Sequence, residues 1–330
     1  MNTDGNVLGI DIGWSTVKRT SAVCRLSWDQ REIGWEIGRF WATDEDRERV
    51  IRQVAGNARL LAVAIDGPLQ KGFDEIGRYR SAERLLSRGQ ILKRIGKPGQ
   101  SSSPNGRKLN QQANLAAKVV KGCCSVEDAG HAWRIDQSAI AEAFPTAFLG
   151  TLIDNPERLR RPKQRSDRYF TYLADEGILG RFLRELLPVR NLAQDPQTVT
   201  NHDDRAALVC AMSALCVAQG WFTAVGDSDD GWIVLPPRDH IKCWAWKALH
   251  ENQDRGDETG QVRAVPGIRE RMEDLDPWVL DQATGRWIHL ATGRPENERE
   301  KAVHEAWQKW DKTGDASDLD KVFEILSRSE

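Results

Sequence analysis

Val7-Leu8-Gly9-Ile10-Asp11-Ile12-Gly13 and Leu60-Leu61-Ala62-Val63-Ala64-Ile65-Asp66-Gly67-Pro68 decide how this chain is read. Each is a short apolar run that ends on an aspartate and is stopped by glycine, the pattern of a strand covered on both faces. Between them, residues 19–26 and 32–41 read as two further strands joined by a turn at 28–31, so the first three strands form a meander. Residues 44–55 open with acids and place Val50, Ile51 and Val54 at helical spacing. That predicts a helix crossing over to the strand at 60–65, which then lies parallel to the first.

Downstream, Gly and Pro break up the stretch to Pro104, with a short helix expected at 82–87 and a longer one at 107–120. A short strand is expected at 138–142, ahead of Pro145, then helical patterns at 166–173 and 180–187. Residues 202–219 give the clearest helix: Leu208, Met212, Leu215 and Cys216 share a stripe, and Asp203 and Asp204 suit its positive N-terminal end. Two closing strands are expected at 222–225 and 231–235. A meander, a helix, a parallel strand, another strand and a long helix reproduce the plan of a ribonuclease H-like α/β core, a mixed five-stranded sheet flanked by helices. On this reading residues 1–237 carry the core with a basic insertion at 71–108, and 238–330 form an acidic, tryptophan-containing extension. Residues 251–330 hold 19 acids against 12 bases, and eight of the thirteen tryptophans lie from Trp221 onward.

Hydrophobic residues at 40% and charged residues at 29% are those of a globular protein with a sizeable core. No apolar run approaches the roughly 20 residues of a membrane span, and the start is polar, so a cytoplasmic protein that does not enter membranes is expected. Six scattered cysteines, with Cys123 and Cys124 adjacent, fit reduced thiols and lack the paired spacing of a structural zinc site. The net charge of −2 conceals a basic stretch: from Lys71 to Lys108 there are ten Lys or Arg against three acids, a local balance of +7. A second basic run spans 158–168. Such runs are either solvated faces or phosphate contacts; within the first, Arg84, Arg88, Lys93 and Arg94 are the candidates for binding nucleic acid, DNA or RNA.

The chemistry follows from strand order. If the strands ending at Asp11 and Asp66 are neighbours, their carboxylates can share a metal, and Asp203 and Asp204 at the first turn of the long helix can close a third side. Glu142, at the end of the short strand, is a further acid, and His202 adjoins the pair. Taken singly, each aspartate is also a good turn former or helix cap. Together they suit Mg²⁺ or Mn²⁺, hard ions that take oxygen ligands. Two such ions about 3.5 to 4 Å apart cleave phosphodiesters in many enzymes.

Four segments carry a resemblance: Gly9-Ile10-Asp11-Ile12-Gly13-Trp14, Ala64-Ile65-Asp66-Gly67-Pro68-Leu69, Glu142-Ala143-Phe144-Pro145, and Asn201-His202-Asp203 with Ala207-Leu208-Val209-Cys210-Ala211. In this order, over roughly residues 7 to 237, the chain resembles domain-of-unknown-function family 429, the predicted ribonuclease H-like nucleases related to the RuvC group. The resemblance implies a metal-dependent nuclease with Asp11, Asp66, Glu142, Asp203 and Asp204 as catalytic acids. It departs at Ala206, where related sequences often place a second acid three positions after the first. Two other readings compete. Gly9 to Thr16 also resembles the first phosphate loop of actin-like sugar kinases, which would make the chain a phosphotransferase or ATPase. Alternatively the acids are structural and the domain binds nucleic acid or protein without catalysis.

Overall fold

The computed structural model describes residues 4–128, 138–159, 165–255, 260–265, 278–281 and 286–289, with a few single positions between 298 and 309. In chain order the elements are β1 (Gly5–Asp11), β2 (Ser21–Trp28), β3 (Glu32–Phe40), α1 (Asp44–Ala55), β4 (Arg59–Leu60), β5 (Ala62–Asp66), α2 (Ser81–Leu86), α3 (Gly89–Arg94) and α4 (Pro104–Cys123). They continue with β6 (Ser125–Val126), β7 (Ile140–Ala143), α5 (Pro145–Thr151), α6 (Arg165–Asp175), α7 (Ile178–Leu186), β8 (Asn191–Leu192) and α8 (His202–Ala218). The last are β9 (Phe222–Asp227), β10 (Gly231–Leu235), α9 (Cys243–Asp254), β11 (Gln261–Val265), β12 (Trp278–Asp281) and β13 (Arg286–His289).

The protein is mixed α/β, with a large mixed sheet flanked by helices. Its nine strands run in the order β11-β9-β10-β7-β5-β1-β2-β3-β8. The meander is antiparallel, β5 runs parallel to β1 with Asp66 opposite Asp11, and β7 runs parallel to β5. The sheet is wider than the five strands expected. β10 pairs parallel to β7, β9 and β11 follow as an antiparallel edge, and the short β8 pairs with β3.

Side-chain alternation along β1, β5 and β7 splits the core in two. Leu8, Ile10, Val63, Ile65 and Ile140 face α1 and α4, meeting Val50, Ile51, Val54, Ala113, Ala116 and Val120. Val7, Ala62, Ala64, Ala141 and Ala143 face α8, behind which α5, α6 and α7 add Phe148, Tyr169, Phe170 and Phe182. The α8 face is lined by alanines because the helix lies unusually close. A Cβ built on Gly9 of β1 would stand 2.0 Å from the Ala211 amide nitrogen and 2.2 Å from the Ala207 carbonyl oxygen, both in α8. Ala206, Ala207, Ala211 and Ala214, all buried, keep the helix thin along this contact.

The basic insertion is a structured layer. Ala82, Leu85, Leu86 and Ile91 of α2 and α3 pack with Ala245, Ala248 and Leu249 of α9 and with Val225, Ile233 and Leu235 of the sheet edge. Asn252 of α9 donates its Nδ2 to the carbonyls of Leu85 (2.8 Å) and Arg88 (3.0 Å). Accordingly the compact unit runs from Asp4 to Pro266, past the boundary at 237 that composition suggests. A second unit comprises Met1–Thr3 and Gly267–Glu330; within it β12 and β13 form an antiparallel hairpin. All six cysteines are free, and among the described residues no helix is long and apolar enough to cross a membrane.

The closeness of α8 to β1 makes Gly9 a sharp test. Gly9→Ala forces backbone apart, so it should destabilise the protein by at least about 1–3 kcal/mol, the usual cost of overpacking. Denaturant melts of the two proteins measure this, and a variant as stable as the parent would refute the contact.

Candidate carboxylate site

The site is assembled by register. Asp66 pairs with Asp11, Asp11 with Ala22, and Ala22 with Arg39, so one row runs across β5, β1, β2 and β3 on the face that α8 covers. In register, neighbouring strands present their side chains to the same face about 4.8 Å apart, which puts Asp11 and Asp66 side by side. α8 starts over this row. The Asn201 side chain caps it, accepting from the amides of Asp203 (2.9 Å) and Asp204 (3.3 Å), which fixes both acids in the first helical turn.

The electrostatics record how close the acids are. Burial above all, then the charges of Asp66, Asp203 and Asp204, hold the Asp11 carboxyl well above its ordinary range. Burial, reinforced by Glu142 and opposed by His202, pushes Asp66 up to about 7. Asp203 and Asp204 are raised by burial as well, with His202 pulling the first down and Arg39 the second. The Arg39 Nε lies 3.5 Å from Asp204 Oδ1, an oxygen that is buried with no hydrogen-bond donor.

Outside the row, Asp167 of α6 steadies the helix start. Its Oδ1 meets His202 Nδ1 at 3.1 Å and an Arg205 guanidinium nitrogen at 3.4 Å. Neither Arg39 nor Asp167 is evident from the sequence. Arg39 sits two strands from Asp11, and Asp167 is 35 residues before His202.

Glu142, expected among the catalytic acids, is close enough to act on Asp66 but stands on the other face of its strand. It pairs with Ile65 rather than Asp66, which puts it on the opposite side of β7 from Ala143, the residue in the aspartate row. There it is buried and gripped by Arg80, whose two terminal nitrogens donate to its oxygens at 2.9 and 2.6 Å, while the Leu69 amide donates at 3.2 Å. Arg80 also binds Glu83 of its own helix at 3.1 Å and the Asp230 carbonyl at 3.2 Å. A carboxylate saturated in this way ties the insertion to the sheet. Removing one partner of such a buried pair leaves an uncompensated charge.

The four basic residues expected to bind phosphate divide. Arg84 is buried. Arg94 bonds Glu157 at 2.8 Å and the Asp154 carbonyl at 2.7 Å, and lies 4.0 Å over the Trp244 ring. Arg88 and Lys93 are exposed. Of the run at 158–168, positions 160–164 lie outside the described residues.

The raised Asp66 gives folding a pH dependence. An ordinary aspartate ionises near 3.8 and this one at about 7. Below both values the group is protonated in both states. From about pH 4 upward the unfolded chain loses its proton first, so stability falls until about pH 7 and is flat beyond it as far as this group is concerned. Asp66→Asn should therefore show a shallower loss of Tm between pH 4 and 7, and a higher Tm at pH 7, in metal-free buffer. Parallel melting profiles for the two proteins would count against the shift.

No protein-family model, no curated protein and no solved structure matches the chain.

Proposed function

We propose that this protein is a divalent-metal-dependent nuclease built on a ribonuclease H-like core. The observation that carries the reading is the placement of Asp11 and Asp66 as direct partners at the carboxyl ends of neighbouring parallel strands, beneath the acidic first turn of α8. Open α/β sheets bind their ligands at such strand ends. The central order β3-β2-β1-β5-β7, with β2 antiparallel to both neighbours and β1, β5 and β7 parallel, supports the core assignment.

The donor set suits Mg²⁺ or Mn²⁺: the row offers carboxylate oxygens, and the thiol of Cys210 in α8, close enough to feel both Asp66 and Asp11, is held well above its ordinary range by burial and by their charges. Among the described residues no three His, Cys, Asp or Glu side chains form a ready-made cluster. Mg²⁺ does not require one, since it keeps several waters and is commonly held by one or two carboxylates together with substrate phosphate oxygens. Asp11 and Asp66 would hold the ion, with Asp203 completing the set. Such an ion, when bound, makes coordinated water more acidic and offsets charge on a leaving oxygen. Arg39 draws Asp204 toward β3 and so leaves Asp203, with His202 anchored on Asp167, as the α8 acid nearest the pair. Ala206, one turn into α8, is buried against the core, so the helix contributes its acids only from the first turn. Glu142 holds the insertion in place and takes no part at the metal. For the nucleic acid, the exposed Arg88 and Lys93 of the basic stretch would meet phosphate.

Asp11→Asn removes a charge and almost no volume. It should cut Mn²⁺-dependent cleavage of labelled DNA and RNA oligonucleotides at least about 100-fold, roughly 3 kcal/mol of transition-state stabilisation. It should also abolish the rise in Tm that Mn²⁺ gives the parent protein, because only an ion bound to the folded state stabilises it. Unchanged turnover would remove Asp11 from the site, and a parent that cleaves neither nucleic acid would overturn the nuclease reading.

A further inference from the structure

The loop after β1 brings together features that the metal site does not use. Trp14, three residues beyond Asp11, is 47% exposed, and Val17 beside it is 83% exposed. The loop is held rather than slack. The Gly13 amide donates to Ser21 Oγ at 2.9 Å, the Lys18 amide to Ser15 Oγ at 3.0 Å, and the Ala42 amide to the Ser15 carbonyl at 2.9 Å. Lys18 and Arg19 are exposed on it, and the Arg19 guanidinium stacks 4.3 Å over the Trp41 ring where β3 ends. Arg39 stands at the end of the aspartate row, on the face that α8 covers.

An exposed indole costs free energy in water, and one fixed by a hydrogen-bonded loop has already given up the conformational freedom that binding would take from it. Lys18 and Arg19 of the same loop are cationic, while the strand that leads into it ends on Asp11. A partner that satisfies both must offer a flat apolar face and anionic groups alternating along one chain. Unpaired nucleotides do this: the base stacks on the aromatic ring and the phosphates meet the basic side chains. In a duplex the base faces are taken up by stacking within the helix and are closed to an indole.

We infer that Trp14 is a base-stacking platform and that the substrate is presented to the carboxylates as a single strand. The inference rests on the nuclease reading for the identity of the site, and deepens it by naming the substrate class. Trp14 binds a base and is not one of the carboxylates, so its loss weakens binding while leaving metal uptake alone.

The test measures fluorescence anisotropy of labelled oligodeoxythymidine and oligouridine of about 16 nucleotides, and of a blunt DNA duplex, on full-length protein in Ca²⁺ buffer. The parent should prefer one or both single strands to the duplex; which homopolymer binds more tightly distinguishes DNA from RNA. Trp14→Leu should lower single-strand affinity roughly 5- to 150-fold, the equivalent of one stacked base. Trp14→Phe should restore most of it. Both variants should keep the parent's Mn²⁺-induced rise in Tm, which shows that they fold and retain the carboxylate site. Equal affinity of Trp14→Leu and parent for single strands, or a parent that prefers the duplex, overturns the inference. A parent that cleaves duplex regardless of Trp14 leaves the nuclease reading standing without it. A parent that binds single strands through Trp14 and cleaves nothing defeats the nuclease reading alone.

Discussion

Everything at the carboxyl end of the sheet depends on the contact between Gly9 and the backbone of α8. A helix normally rests on a sheet through a layer of side chains; here the Ala207 carbonyl and Ala211 amide occupy the space a Cβ at position 9 would need. Dispersion is short-ranged, so this closeness gains contact that a bulkier residue would forfeit. It also fixes a height. Asp11 lies two residues beyond Gly9 on the same strand and points to the same face, and Asp203 and Asp204 lie one turn before Ala207 on the same helix. The small residues along α8 are thus the spacer between two sets of acids.

That spacing creates a cost which the neighbourhood only partly offsets. Four carboxyls crowd a largely dry face, and Asp11 and Asp66 resist ionisation as a result. Three features work the other way. Arg39 draws on Asp204, the Asn201 cap and the positive end of α8 favour negative charge in the first turn, and His202 lowers both Asp66 and Asp203. None of these neutralises the Asp11–Asp66 pair itself. Glu142 shows the alternative within the same sheet: a buried carboxylate whose oxygens are filled by Arg80 and a backbone amide. An acid satisfied in that way is structural. A pair left repelling each other at strand ends is what the proposed metal site draws on.

The aspartates were legible because each ends an apolar run and is followed by glycine, and strand ends are local features. The acids of α8 were legible for the same reason, standing just ahead of a long apolar helix. The face of Glu142 was not, because it depends on register between parallel strands, and a shift of one residue turns a side chain to the opposite side of the sheet. Arg39 was hidden for a related reason: its place in the row is set by two successive hairpin registers. The wide sheet is not legible since β10 joins β7 across almost ninety residues of chain, and composition assigns α9 to an appendage because Pro236-Pro237 and a change in residue content precede it. Neither signal reports that Asn252 reaches back to α2.

The basic stretch shows why a charge count along a chain is weak evidence for a charged surface. Lys71 to Lys108 carries a balance of +7, yet several of the acids that answer it come from elsewhere in the sequence. Glu142 takes Arg80, Glu157 takes Arg94, and the Asp230 carboxylate accepts from the Ser81 amide at the start of the same layer. Arg80 thereby holds α2 to β7, and Arg94 holds α3 to the segment after α5. The arginine that acts on the aspartates comes from a different part of the chain, Arg39, which lies in no basic run, and Lys18 and Arg19 stand on the loop that follows Asp11. Their position follows from the meander, whose first loop and third strand end at the same edge of the sheet as Asp11. Cationic residues thus serve in different ways: Arg80 and Arg94 of the dense run fasten a structural layer, while Arg39, far from any run, reaches the acids of α8.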